Sequence, residues 1–152
     1  MRRADKIVKD KNVIREILLS SNICRIAIFD DEFPYIVPLN YGFRNNTLYF
    51  HSAPQGKKID LIKKNNNVGF VIEQDHEVLK DEISCNWTTK YRSVMGTGII
   101  KIVTDTEKKT EGLDIIMQHH GKTENEYNKK ALERMILLKL EVKSLSAKQS
   151  GQ

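Results

Sequence analysis

The short connections between alternating apolar segments are the feature that most constrains the fold of this chain. Residues 22–29 alternate with period two, and residues 35–43 and 48–51 follow after turn signals at positions 30–32 and 45–46. Parallel strands need a crossover of a dozen or more residues, which these turns do not supply. The pattern therefore predicts antiparallel strands joined as a meander.

Three further segments are typical of strands. Residues 68–73, VGFVIE, are strand-like, residues 87–103 contain a long candidate strand, and residues 136–142 alternate without a break. Gly96 and Gly98 are expected to mark a bulge or bend of the kind that closes a barrel. The sequence thus predicts about six strands.

Four helices are expected around these strands. In the first, Val13 and Ile17 have i, i+4 spacing, and Asp10 or Asn12 can cap its start. The predicted helices cover residues 11–20, 57–64, 105–119 and 124–134. A mainly β fold follows, with peripheral α: a closed or nearly closed antiparallel barrel of about six strands, with helices at the barrel ends.

Length and composition favour one domain over residues 1–152, with residues 75–86 as a polar loop and 146–152 as a frayed tail. No apolar run approaches the roughly 20 residues that cross a bilayer, and the mixed-charge start is unlike a signal peptide. We therefore expect a cytoplasmic protein that makes no membrane contact. Cys24 and Cys85 are then expected to be reduced thiols.

Metal and nucleic-acid binding are not expected. The four histidines, His51, His76, His119 and His120, form no metal-binding signature. The net charge of +5 is compatible with an anionic ligand or with weak nucleic-acid binding. No helix-turn-helix pattern or exposed aromatic ladder supports the second reading.

The segment 49–62, YFHSAPQGKKIDLI, carries the chemical signal. A strand delivers His51 and Ser52 to a bend, Gly56 lets the backbone turn, and a helix starts with Lys57 and Lys58. Lysines in a first turn oppose the helix macrodipole, whereas a bound anion would make them favourable. The segment is therefore either a phosphate site or a solvated basic helix.

Three segments in this order carry a family resemblance. They are PYIVPLNYGF at 34–43, HSAPQGKKIDLI at 51–62 and CNWTTKYRSV at 85–94. The chain resembles the nitroimidazole-resistance branch of the pyridoxamine 5′-phosphate oxidase-related flavoproteins over about residues 1–145. This resemblance implies an FMN-binding split β-barrel and a homodimer with FMN at the subunit interface.

The resemblance also implies roles for individual residues. The lysine pair would hold the FMN phosphate beside the Ser52 hydroxyl, residues 37–41 would run along the isoalloxazine ring, and Arg92 and Ser93 would lie near the flavin. Trp87 would lie near the ring or at the subunit seam. The complete set is Val37, Pro38, Leu39, Asn40, Tyr41, His51, Ser52, Ala53, Lys57, Lys58, Trp87, Arg92 and Ser93. Pro38 has no amide hydrogen to donate to a neighbouring strand. It therefore indicates either an irregular strand position where a ligand could lie or an ordinary edge strand.

His51 is the candidate catalytic residue, as a proton donor or a substrate contact. The alternative is that His51 merely forms a hydrogen bond to the flavin or to the backbone. The resemblance implies an FMN-dependent reductase of a small organic electron acceptor of the nitroaromatic type. The alternatives are a flavin-binding sensor or carrier without turnover and, less favoured, a true pyridoxamine 5′-phosphate oxidase. That oxidase would carry a Trp- and Arg-bearing C-terminal segment, which residues 140–152 lack.

Overall fold

One antiparallel sheet organises the computed structural model, which describes residues 4–151. In this part of the chain the elements are β1 (Ile7–Val8), α1 (Lys11–Ser20), β2 (Ile23–Ile28), β3 (Tyr35–Asn40), β4 (Gly42–Arg44), β5 (Thr47–Ser52), α2 (Lys57–Lys64), β6 (Asn67–Leu79), β7 (Thr88–Val103), α3 (Thr106–His119), α4 (Lys129–Glu133) and β8 (Ile136–Ser150). The strand order is β3-β2-β6-β7-β8-β5-β4, and β1 pairs with β8.

The mainly β, antiparallel class with peripheral helices is confirmed, but the number of strands is eight and the sheet stays open between β3 and β4. The predicted strand 35–43 divides at Tyr41 into these two edges, because β3 pairs with β2 whereas β4 pairs with β5. The split in the barrel therefore lies where one continuous segment changes its partner.

The last strand differs from its prediction. Residues 146–152 were expected to fray, yet β8 continues through Ser150, and Gln152 lies outside the described residues. Here β8 is paired on both sides: Ser150 lies opposite Tyr91 of β7, and Ala147 opposite Val8 of β1. β7 pairs with all of residues 146–150, and β1 adds pairing at residues 147–148, so backbone hydrogen bonds hold this polar segment in the sheet without apolar alternation.

The hairpin of β6 and β7 also extends further than expected. The predicted loop at 75–86 begins only after Leu79, because β6 resumes its pairing beyond a register shift between Gln74 and Glu77. A second register shift, between Thr97 and Gly98, is the bulge predicted from the neighbouring glycines. These irregularities bend the long ladders around the core.

The first three helices follow their predictions closely. Asp10 caps α1, since its Oδ1 accepts a hydrogen bond of 2.8 Å from the Asn12 amide. The fourth is shorter than the predicted 124–134, because the side chains of Asn125 and Tyr127 both hydrogen-bond Asp114 of α3. These contacts hold the chain before α4 against α3 in a non-helical conformation.

The core fixes the position of α2. Ile59, Leu61 and Ile62 are buried and turn the apolar side of this short helix inward, where α2 contacts β2. The helix start is thereby left at the surface beside the end of β5. The buried core itself includes Ile26, Ile28, Phe50, Ile72, Ile100, Leu138 and Leu140.

Candidate functional site

A cleft of about 420 Å³ opens where the end of β5 meets the start of α2 and the inner side of β3. This volume lies within the range of small-molecule sites. The lining residues are Tyr35, Leu39, His51, Ser52, Ala53, Gln55, Gly56, Lys57 and Lys58. The structure thus brings together six of the residues expected to bind the cofactor.

The start of α2 lacks the side-chain cap of the other helices. Asp10, Asp105 and Asn128 each accept a hydrogen bond from a first-turn amide of α1, α3 and α4. The residue before α2 is Gly56, with φ of 114° and open space where a Cβ would stand. The amides of Lys57 and Lys58 have no acceptor within the helix and can donate to an anion in the cleft, whereas the Ile59 amide donates to the Gly56 carbonyl at 2.8 Å.

The two lysines at this helix start have different surroundings. Lys57 Nζ lies 2.6 Å from Asp30 Oδ2 and 5.1 Å from the centre of the Tyr35 ring. The hydrogen bond to Asp30 is the main reason that the pKa of Lys57 is raised. Lys58 is half-buried and has no ion pair within residues 4–151, and this burial lowers its pKa. An anion beside Lys58 would restore the stability of its charged form.

His51 and Ser52 close the cleft from the β5 side. His51 lies opposite Leu137 in the sheet, and its exposed ring makes no hydrogen bond in the described part of the chain. Ser52 is buried, and its hydroxyl donates to the Ala53 carbonyl at 3.0 Å. The serine donor is therefore already used, unlike the donor expected beside a phosphate.

Tyr41 lies in the core, so its side chain cannot reach the cleft. It is completely buried, and its hydroxyl donates to the Leu18 carbonyl at 2.7 Å. Burial raises the pKa of this phenol. Tyr41 follows β3 and, by strand alternation, points to the same inner face as Leu39. Its side chain therefore enters the core, and within one copy of the chain it does not make the expected contact with a cofactor.

The rest of β3 contributes only Leu39 of the expected residues to the cleft. Val37 packs against the core, and Asn40 donates to the Asn22 carbonyl at 3.2 Å. Pro38 is exposed and pairs with β2 on the edge of the sheet, which agrees with the edge-strand interpretation.

Trp87, Arg92 and Ser93 do not line this cleft. Arg92 and Ser93 lie on β7, which β2 and β6 separate from the cleft residue Leu39 of β3. Within one copy of the chain, the structure therefore does not group these three residues with the lysine pair.

Two carboxylates surround the guanidinium of Arg92. Its Nη1 lies 2.7 Å from Glu16 Oε1, and its buried Nε lies 3.4 Å from Asp75 Oδ2. Within residues 4–151 this Nε forms an ion pair but no hydrogen bond. Trp87 is half-exposed and donates from its indole nitrogen to the Asp81 carbonyl at 2.6 Å.

Sequence reasoning missed three residues of the site. Asp30, Tyr35 and Gln55 contact or line the cleft, although none was expected to bind a ligand. Tyr35 could have been found from strand alternation, since it shares the inner face of β3 with Leu39. Asp30 lies in a turn, and no local pattern links that turn to Lys57.

Within residues 4–151 no group of three or more His, Cys, Asp or Glu side chains could hold a metal ion. The helices in this part of the chain are all too short or too polar to cross a bilayer.

Comparison with known proteins identifies the family. Residues 10–149 match the family model described as pyridoxamine 5′-phosphate oxidase. The chain belongs to the pyridoxamine 5′-phosphate oxidase family. The resemblance drawn from the three sequence segments is thereby confirmed.

Two solved structures and one curated sequence are similar to this family member. A candidate 5-nitroimidazole antibiotic resistance protein from Bacteroides thetaiotaomicron is 34% identical, with a TM-score of 0.84 over 93% of this chain and 85% of that one. The FAD and heme binding protein from Mycobacterium smegmatis is 18% identical, with a TM-score of 0.85 over 97% and 74%. That second likeness concerns the fold alone.

The curated relative is the uncharacterized protein RA0666 of Rhizobium meliloti, which is 33% identical over 67 residues. The match covers 44% of this chain and 44% of that relative.

The residues of the cleft fit a phosphate-bearing group. Lys58 has no carboxylate partner in the described chain, the first amides of α2 are uncapped, and Gly56 leaves open space before them. The oxygens of a phosphate monoester would accept hydrogen bonds from Lys58 and from these amides, and the open space beside Gly56 would admit the group. The apolar side of the cleft, formed by Leu39 and Tyr35, suits the rest of such a molecule.

Proposed function

We propose that this chain binds FMN, with the phosphate at the start of α2 and His51 beside the cofactor. The observation that carries the proposal is the half-buried and unpaired Lys58 at an uncapped helix start, in a member of this family. The phosphate of FMN is close to a dianion at neutral pH, so it gains from a cation and from free amides together.

FAD is the alternative cofactor, because a protein of the same fold from M. smegmatis is named as FAD-binding. The phosphates of FAD are diesters that carry one charge each, whereas the monoester of FMN carries up to two. A lysine without a carboxylate partner at an uncapped helix favours the more highly charged group. Identification of the released chromophore separates the two flavins.

We further propose a homodimer with a flavin at each end of the subunit interface. Arg92 and Ser93, which the family resemblance implies as cofactor residues, do not line the cleft of their own chain, and a two-fold axis can bring the same residues from a second copy. The outer face of the sheet supports this arrangement. It carries exposed apolar side chains, among them Ile23, Ile36 and Met95, which are 42%, 59% and 41% exposed.

The proposed reaction is the reduction of a small nitroaromatic acceptor, because the 34% identical relative is named for resistance to 5-nitroimidazole antibiotics, which are nitroaromatic compounds. A flavin bound in this cleft would supply the redox chemistry, with a reduced nicotinamide as the two-electron donor. Reduction of a nitro to a nitroso group takes two electrons and two protons and releases water. The exposed imidazole of His51 can hold and deliver one of these protons.

The decisive experiment is the visible absorption spectrum of the purified protein, followed by release and identification of the chromophore. FMN in one copy per chain is expected, together with reduction of nitroaromatic compounds by a reduced nicotinamide. Protein that stays colourless with added FMN would overturn the cofactor assignment. Bound FMN without turnover of any acceptor would favour the sensor or carrier instead.

A further inference from the structure

A second cleft of about 320 Å³ begins on the other side of His51. It lies between α3 and the segment that contains α4. Its lining residues are His51, Leu113, Glu126, Tyr127, Asn128, Ala131, Leu132 and Met135. His51 is the residue that this cleft shares with the cleft at the start of α2.

The wall formed by α4 is held in place by a buried lysine. Lys109 of α3 is only 5% exposed, and its Nζ donates to the carbonyls of Leu132 at 2.5 Å and Met135 at 3.2 Å. These two carbonyls belong to residues that line the cleft. A buried ammonium group is strongly destabilised without such acceptors, so α4 and the cleft are fixed together.

The opposite end of the same segment is fixed by Asp114. Its Oδ1 accepts from the Tyr127 hydroxyl at 2.8 Å and from the Asn125 side-chain amide at 3.1 Å. The Tyr127 hydroxyl is thus occupied, and its ring is left to line the cleft. The cavity is therefore held open by polar contacts outside it, whereas its inner surface is largely apolar.

The lining selects a neutral, ring-sized ligand. Leu113, Leu132 and Met135 offer no hydrogen bonds from their side chains, and the Glu126 carboxylate disfavours an anion. This open cleft of about 320 Å³ lies at the lower end of the range of small-molecule sites and has room for one substituted ring. The single imidazole at the shared wall can meet one polar substituent of that ring.

We propose that the cleft between α3 and α4 is the binding site for the electron acceptor, a neutral molecule with one aromatic ring. This inference rests on the proposed flavin function: His51 lines both clefts, and electrons would pass from the cofactor to the acceptor across this shared wall. Leu113, Leu132 and Met135 would then determine acceptor size, and Glu126 would determine acceptor charge.

The test uses the methyl group of Met135 as a reporter in the full-length protein. Methionine-methyl NMR spectra are recorded during titration with nitrobenzene, and separately with 4-nitrobenzoate. Nitrobenzene is expected to shift the Met135 signal, with a much weaker response to the anion. The Met95 methyl on the outer face of β7 is the internal control and should not move.

The matched variants are Ala131→Phe and Glu133→Phe. Both residues are exposed on α4, but only Ala131 lines the cleft, so a phenyl ring there fills it without rearranging the core. Overlap with a ligand costs about 1–3 kcal/mol, or roughly 10- to 100-fold in affinity. We expect Ala131→Phe to weaken nitrobenzene binding and to raise KM for its reduction by this factor, while Glu133→Phe leaves both near the wild-type values.

An unchanged Met135 signal, or equal binding by both variants, would overturn the assignment of this cleft. The flavin content of each sample is measured alongside. Protein that retains flavin without a Met135 shift contradicts the acceptor site alone. If the protein is colourless and the Met135 signal still shifts, the proposed flavin function is wrong. The cleft would then bind an aromatic ring without serving as an electron-acceptor site.

Discussion

Lys57 Nζ lies 2.6 Å from Asp30 Oδ2, whereas the next residue of the same helix, Lys58, has no carboxylate partner in residues 4–151. The pair formed by Lys57 and Asp30 is nearly neutral when seen from the cleft. The electrostatic attraction for a phosphate therefore comes mainly from Lys58 and the uncapped amides of α2.

Lys58→Ala is expected to weaken FMN binding by about 10- to 100-fold, the value of one charge-assisted hydrogen bond of about 1.5–3 kcal/mol. Joint replacement of Lys57 and Asp30 by Ala removes a neutral pair, so the Kd should change by no more than about threefold. Quenching of flavin fluorescence measures both constants. Riboflavin, which lacks the phosphate, serves as the control ligand and should bind the Lys58 variant and the wild type alike.

Equal losses of FMN affinity in the Lys58 variant and the double variant would contradict this division of roles. An equal loss of riboflavin affinity would show that Lys58 acts on the ring or on the fold.

Tyr41→Phe is expected to lower the free energy of unfolding by about 1–3 kcal/mol, because the buried Leu18 carbonyl loses its donor. FMN affinity should stay unchanged, since the Tyr41 side chain lies in the core. Urea unfolding and flavin titration give the two values. Tyr35→Phe is the matched control on the cleft side, with an expected change in stability below about 0.5 kcal/mol. A tenfold loss of FMN affinity at full stability would place Tyr41 against the cofactor.

Gly42→Ala tests the contact between β4 and α3. A Cβ at Gly42 would lie 2.7 Å from the carbonyl carbon and oxygen of Ile115, whereas a Cβ at Gly69 would meet no atom closer than 3.9 Å. Overpacking against helix backbone typically costs about 1–3 kcal/mol, and we expect a loss of this size for Gly42→Ala in urea unfolding. Gly69→Ala should be neutral or slightly stabilising, because alanine lowers the entropy of the unfolded chain. Equal stability of the two variants would contradict the close approach.

The pH dependence of stability is expected to include a contribution from His119. Burial is the main reason that the pKa of this imidazole lies below its usual value, and its Nε2 lies 2.8 Å from the Ser21 carbonyl oxygen. Because the unfolded chain binds the proton more tightly, this stability is complete above about pH 6.5 and is lost as the pH falls toward the folded-state pKa. The slope is at most about 1.4 kcal/mol per pH unit.

In the His119→Gln variant, the glutamine keeps a donor for the Ser21 carbonyl but does not titrate. The free energy of unfolding of this variant should therefore fall less than that of the wild type as the pH drops below 6.5. Urea unfolding between pH 5 and pH 8 measures the difference. His76→Gln is the control at an exposed position. A variant that reproduces the wild-type slope would assign the titration to another group.

The parts that the sequence predicted well are those determined by local patterns. The helix at 57–64, the strand leading to Ser52 and the bend between them depend on neighbouring residues, and the structure has all three. The resemblance to known flavoproteins identified the family and the fold class. It also selected the lysine pair, which lines the cleft.

The parts that local patterns missed depend on pairing between distant segments. Residues 77–79 and 146–150 lie in strands because they pair with β7, and their own side chains form no clear strand pattern. The contact of Arg92 with Glu16 joins residues 76 positions apart. Lys57 and Asp30 are 27 positions apart, and their ion pair depends on how α2 packs on the sheet.

The place of β8 in the sheet has a consequence for folding during synthesis. Among the described strands it is the last in sequence, yet it lies between β7 and β5, so its absence leaves the two halves of the sheet unjoined. Assembly then waits for contacts that span nearly a hundred residues, a feature of slow-folding β proteins. Ribosome-bound chains that end before residue 136 are expected to be cut readily by proteases, and chains that expose residue 150 should resist them.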